Sequence, residues 1–210
     1  TPVDVVSFAS AYGSWLIEST KKDSLVVVIG RDARLSGEMV SQLVSSSLRG
    51  LGINVVDLGL STTPTVELAV PMEGADGGII LTASHNPKEW NALKLLNQEG
   101  EFISAAEGKR ILELAEASEF QYAGVDDLGN YTQNDTYLQK HIQHILGLEL
   151  VDVEAIKKRN YKVVVDGVNS TGGIFVPELL KSLGVNQVVE LYCEPNGKFP
   201  HNPEPLAENL

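Results

Sequence analysis

The chain has 210 residues, of which 43% are hydrophobic and 21% charged, and a formal net charge of −12 at pH 7. This is enough for one large domain or one and a half smaller ones around a sizeable core, with an ordinary globular composition. The acidic balance argues against general nucleic-acid or anionic-membrane binding, but not against a phosphorylated substrate, whose charge a local cluster of cations can meet in a cleft. Cys193 is the single cysteine, so no internal disulfide is available and a reducing, cytoplasmic compartment is expected. No apolar run reaches membrane length, and no signal peptide is visible. Thr1 stands where methionine opens a reading frame, which suggests an excised piece.

Thr1-Pro2-Val3-Asp4 has the form of a helix start, with Thr as N-cap, Pro at the first helical position and an acid three residues after the cap. Val5, Phe8, Ala9, Tyr12 and Leu16 then follow helical spacing along one face. Leu25 to Ile29 is a β-branched, all-apolar run and predicts a buried strand. The polar turn Gly30-Arg31-Asp32-Ala33-Arg34-Leu35-Ser36-Gly37 follows, with Ser36 expected to cap the next helix and Arg31, Asp32 and Arg34 able to pair among themselves. That helix places Val40, Leu43, Val44 and Leu48 on one side, and Gly50 is expected to end it. Asn54 to Gly59 reads as a second strand, and Pro64 as the first position of a short helix.

A third strand, Gly77-Gly78-Ile79-Ile80-Leu81, runs into Thr82-Ala83-Ser84-His85-Asn86-Pro87-Lys88-Glu89-Trp90-Asn91-Ala92, and Leu93 to Leu96 can form a strand after it. Asn-Pro is a turn dipeptide, so Ser84 is expected on a loop at a strand end, where α/β proteins place their chemistry. On composition alone, Ser84 could simply bond nearby backbone. A Ser-His hydrolase pair is a poorer reading, because G-x-S-x-G is absent and sequence neighbours rarely face each other as nucleophile and base.

Beyond this loop, Ser104-Ala105-Ala106-Glu107 has capping-box spacing ahead of a helix carrying Ile111, Leu114 and Ala115 inward. Gln121 to Gln133 is polar and reads as a connection. A helix from about Asp135 is built on Leu138, Ile142 and Ile145. His141 and His144 lie three apart on it, more in keeping with a solvated flank than with a metal site. Tyr161 to Asp166, a glycine-bearing turn, a helix with Phe175, Leu179, Leu180 and Leu183, and the strand Gln187 to Leu191 make a second α/β unit. Its glycines lack the G-x-G-x-x-G spacing of a dinucleotide site. The segment from Glu194 to Leu210 is expected to be extended.

Thr-Ala-Ser-His-Asn-Pro with Asn91 and Lys94 resembles the active-site serine loop of the α-D-phosphohexomutases, which include phosphoglucomutase, phosphomannomutase and phosphoglucosamine mutase. The turn after the first strand and the second α/β unit are similar to that family as well. The resemblance implies an α/β fold: a three-layer α/β/α phosphohexomutase domain with a mixed sheet over residues 1–132. In residues 133–210 it implies a linker helix and the first part of a similar α/β domain, truncated before the metal-binding loop. It further implies catalytic roles for Ser84, His85 and Lys94, with Ser84 carrying a phosphoryl group, His85 supporting loop and phosphate, and Lys94 stabilising the moving group. Thr82, Asn86, Pro87, Asn91, Arg31 and Asp32 would support the loop.

The implied cofactor is Mg²⁺, bound to Ser84 through a phosphoryl oxygen and to aspartates outside this chain. The implied partners are a phosphorylated hexose (glucose, mannose or glucosamine phosphate), its bisphosphate and the remaining mutase domains, with no nucleic acid and no membrane. The alternative is a non-catalytic phosphosugar-binding or scaffold protein with a degenerate mutase fold.

Overall fold

The computed structural model describes residues 1–209. Helix α1 (Pro2–Ser19) starts as its sequence predicts, because the Thr1 side chain and the Asp4 carboxylate cap each other's backbone N–H reciprocally. It is followed by β1 (Val26–Arg31), α2 (Gly37–Gly50), β2 (Asn54–Leu60), α3 (Thr63–Met72), β3 (Gly77–Leu81), β4 (Leu93–Leu96), α4 (Ala105–Ala117) and β5 (Tyr131–Gln133). The strands form one sheet in the order β4-β3-β1-β2-β5. All pairings are parallel except β3 with β4, where Leu81 faces Leu93 and Ile80 faces Lys94. The expected mixed sheet is therefore present.

Side chains alternate across this sheet and create two cores. Val27, Ile29, Ile79 and Leu81 pack with Tyr12, Leu16, Val44, Leu48 and Ile111 of α1, α2 and α4. Val28, Ile80 and Leu96 pack on the other side with Val66, Ala69 and Val70 of α3. Strand β3, between β4 and β1, is buried at every residue. Leu81 is thereby a fixed platform from which the Ser84 loop departs.

Helix α2 ends at Gly50 as expected, and the chain reverses at Gly52, whose φ of +82° only glycine adopts without strain. Three local expectations change. Ser36 makes no side-chain cap; its hydroxyl accepts from Asn91 Nδ2 instead. Thr63 takes the first position of α3, ahead of Pro64, and Thr62 caps it. The polar stretch from Gln121 ends in β5, a strand that hydrogen-bonds to β2 at the sheet edge; with all three of its residues exposed it carries no apolar signal.

The second unit contains α5 (Tyr137–Leu146), α6 (Val153–Arg159), β6 (Lys162–Asp166), α7 (Gly172–Ser182) and β7 (Gln187–Leu191). Strands β6 and β7 pair in parallel, with α7 as the crossover. Helix α5 packs against both α3 and α7, joining the two units. After β7 the chain is not extended as its prolines suggested, but bends repeatedly and closes with a 3₁₀ turn at Ala207–Asn209; Leu210 lies outside the described residues. Among the described residues no helix is long and apolar enough to cross a membrane.

Candidate active site

The Ser84 loop begins where β3 ends. Leu81 and Thr82 are buried, whereas Ser84 and His85 are exposed. Ser84 has φ of +54°, in the left-handed region that costs a non-glycine residue roughly 1–2 kcal/mol. Its N–H donates to Thr82 Oγ1 at 3.0 Å, and the Thr82 hydroxyl donates to Asp32 Oδ2 at 2.7 Å. The strained residue is thus held from below by a hydrogen-bonded chain ending on a buried carboxylate.

Asp32 is fixed in turn by Arg34, whose Nε donates to Oδ2 at 3.1 Å and whose backbone N–H donates to Oδ1 at 3.0 Å. Arg34 does far more than neutralise it. Its Nη1 donates to the carbonyls of Pro87 at 2.7 Å and Trp90 at 2.9 Å, and its Nη2 to those of Ser84 at 2.9 Å and Asn86 at 2.8 Å. One guanidinium therefore gathers four carbonyls of the loop while lying only 2% exposed. The planar, five-donor fork suits this task, and charge-assisted bonds to all its N–H groups offset the cost of burying it.

Other loop residues brace it from within. Asn86 Nδ2 and its backbone N–H both donate to the Ala83 carbonyl. The Pro87 carbonyl accepts from Trp90 N–H, and Thr82 N–H donates to the Ala92 carbonyl, closing the loop base. Asn91 bridges to Ser36 as described above. Arg31 does not reach the loop through its side chain; its Nη1 donates to the Asp32 carbonyl at 3.3 Å. The sequence pattern placed Arg34 near Asp32 without marking it as the organising residue. The only available signal was an Asp-x-Arg spacing directly after a buried strand.

Lys94 faces Ile80 across the β3–β4 pair, on the side of the sheet covered by α3. Its ammonium lies 5.8 Å from the centroid of the Phe102 ring. It is also close enough to Glu67 of α3 to counteract, in part, the upward push that burial gives that carboxyl. Among the described residues no hydrogen bond or ion pair joins it to Ser84 or His85. His85 Nε2 lies 3.1 Å from Glu204 Oε2. His141 is occupied elsewhere: its Nδ1 lies 2.9 Å from Thr65 Oγ1 of α3, and its ring packs on Phe175 of α7 at 4.6 Å.

The family pattern described as phosphoglucomutase/phosphomannomutase, alpha/beta/alpha domain I, matches residues 1–122, and the pattern for domain II of the same family matches residues 139–210. The chain belongs to the phosphoglucomutase/phosphomannomutase family. A phosphoglucomutase/phosphomannomutase of Thermococcus kodakarensis is 38% identical over 100% of this chain and 45% of its own length. A probable phosphoglucosamine mutase of Methanopyrus kandleri is 34% identical over 88% of this chain and 39% of its own. The crystal structure of a putative phosphomannomutase from Thermus thermophilus superimposes with a TM-score of 0.85 at 29% identity, covering 100% of this chain and 46% of the other. The chain thus spans less than half the length of these relatives. In family terms, the β1–α2 turn and the β3–β4 loop are one hydrogen-bonded unit of domain I.

Proposed function

We propose that this chain is the N-terminal part of a phosphohexomutase, an intramolecular phosphotransferase that interconverts hexose 1-phosphate and hexose 6-phosphate. The observation that carries the reading is the exposed, left-handed Ser84, held on a loop four of whose carbonyls converge on Arg34. A rigid mount of this kind suits a nucleophile that must be in position before its substrate arrives. Family membership and the named mutase relatives support the same reaction class.

In this reading Ser84 carries a phosphoryl group in the resting enzyme. The P–O bond to Ser84 breaks as a free sugar hydroxyl forms a new one, giving a bisphosphorylated sugar and an unmodified Ser84 that recovers a proton. The sugar turns over, and its other phosphate returns to Ser84. His85 orients the loop phosphate. Lys94 stabilises the moving group, for which its ammonium leaves the Phe102 ring. Thr82, Asn86, Pro87, Asn91 and Asp32 hold the geometry, and Arg31 acts only through its hydrogen bond to the Asp32 carbonyl.

Mg²⁺ is the proposed cofactor, and it would supply charge stabilisation at the phosphate oxygens. A phosphorylated Ser84 offers the hard oxygen donor such an ion takes. Among the described residues no group of three or more His, Cys, Asp or Glu side chains could hold a metal, so the carboxylates would come from elsewhere in a longer protein. We accordingly expect the 210-residue chain alone to turn over no hexose phosphate. The proposed division is a first domain over residues 1–132 and the beginning of a second over 133–210. The proposed partners are glucose, mannose or glucosamine phosphate, the corresponding bisphosphate and the remaining mutase domains, in the cytoplasm.

The test is a mutase assay on the full-length protein with Mg²⁺, comparing the 1-phosphates of glucose, mannose and glucosamine. We expect turnover with at least one sugar, and its loss by several orders of magnitude in Ser84→Ala, because Ser84 carries the one exposed hydroxyl between residues 82 and 92. A folded, metal-loaded protein that converts none of the three would favour the phosphosugar-binding alternative.

A further inference from the structure

We infer that Glu204 is a positioning residue for phosphoryl transfer at Ser84, acting through His85. The inference rests on the mutase reading and extends it to a residue of the second α/β unit. Glu204 belongs to the segment that leaves β7 and returns across the first domain. This segment is docked on the support of the serine loop. Gly197, with φ of +70°, sits so tightly on the Ala33 carbonyl that any side chain there would collide with it. The Phe199 ring covers the Arg34 guanidinium at 5.2 Å. Ser170 Oγ accepts from Ala33 N–H at 3.3 Å, a second tie between the two units at the same turn.

The path continues through His201, whose Nε2 lies 2.9 Å from Asp166 Oδ2 at the end of β6. Glu204 then stands between Pro203 and Pro205, which restrict its own backbone and that of its neighbours. Its N–H donates to Asn202 Oδ1 at 3.1 Å. Its carbonyl accepts from Leu206 N–H at 2.8 Å and from Asn209 Nδ2 at 2.9 Å. A carboxylate on so constrained a backbone loses little further freedom when it meets His85.

A polar contact this exposed contributes little to stability, since the His85 side chain is 55% exposed and that of Glu204 34%. Its consequence is geometric. His85 follows the proposed nucleophile directly, and among the described residues Glu204 is the only side chain whose carboxylate stands within ion-pairing distance of its ring, 3.1 Å from Nε2. A carboxylate at that distance restricts rotation of the imidazole and leaves Nδ1, which makes no hydrogen bond among the described residues, available to a phosphate carried on Ser84. Without Glu204 the ring would rotate freely beside the reacting group.

The test is a double-mutant cycle in the full-length protein, read as kcat and KM for hexose 1-phosphate. Glu204→Ala is expected to lower kcat about tenfold, with KM changed less than about twofold, as misplacement of a supporting group does. Glu204→Gln should recover part of the rate, because it keeps the side-chain shape and an oxygen within reach of Nε2 while removing the charge. In a His85→Ala background, Glu204→Ala should have no further effect. Thermal unfolding of each variant identifies any that fails to fold, and Glu204→Gln, with its shape retained, then carries the comparison against Glu204→Asp. Wild-type kcat in Glu204→Ala, or an equal loss with and without His85, overturns the proposal while leaving the mutase reading intact. A wild-type protein that turns over no hexose phosphate overturns both.

Discussion

Ser84, the proposed nucleophile, and Arg34, which holds its loop, should respond differently to substitution. Arg34→Ala would strand the buried Asp32 carboxylate and release four loop carbonyls. We expect a destabilisation of about 3 kcal/mol or more in urea unfolding of the 210-residue chain. Arg34→Lys should fall well short of rescue, since an ammonium has three donors and no planar fork. Ser84→Gly should behave in the opposite way. It relieves a left-handed φ of 54°, so the chain should be as stable as wild type or more stable by up to about 1 kcal/mol, although the proposed nucleophile is gone. A substitution that abolishes function while preserving or raising stability would show that strain is retained at Ser84 for its exposure.

At the scale of elements, α5 is the joint between the two units, and His141 is its contact with both α3 and α7. Burial lowers the pKa of His141, and the neighbouring His144 adds to the shift. Because its folded pKa lies below the unfolded value, the unfolded chain takes up the proton first as pH falls. The stability linked to His141 is therefore present above its ordinary pKa near 6.5 and lost as pH falls through and below it. His201, at the end of β6, shifts in the other direction, raised by its hydrogen bond with the Asn202 carbonyl and then by that with Asp166. Its contribution is present at low pH and lost as pH rises through its folded value. An NMR titration of the imidazoles should give two well-separated curves, His141 below and His201 above the ordinary midpoint. Coincident curves would mean that neither contact persists in solution.

For the molecule as a whole, the segment after β7 makes the two units one body by resting on the turn that carries Arg34. Gly197 is where this docking is tightest, so Gly197→Ala meets both the Ala33 carbonyl and an unfavourable φ of +70°. We expect the segment to detach while the five-stranded sheet stays folded. Hydrogen exchange would then accelerate at Leu206 and Asn209 with little change in β1 and β3. Uniform loss of protection across both units would instead mean that the segment is required for the entire fold.

The fold class was legible in the sequence because its signals are local. The Thr1–Asp4 capping box, the buried run of β1, the all-apolar β3 and the turn at Asn86-Pro87 each follow from side-chain chemistry within a few residues. Ser84 was legible for the same reason, as a hydroxyl on a short loop between strands, with a motif that resembles one family's active site. Strand β5 was not, because an exposed edge strand has no buried face to give it period-two alternation. Ser36 misled because capping depends on backbone conformation, and Asn91 claimed its hydroxyl from a distant loop. Arg34 and Glu204 were illegible in their roles for one physical reason. The partners of Arg34 lie some fifty residues along the chain, and His85 and Glu204 belong to different α/β units. Local chemistry selected the elements and the candidate serine; only the packing of β1 beside β3, and of the last segment against the turn and loop that follow them, determined which side chains surround it.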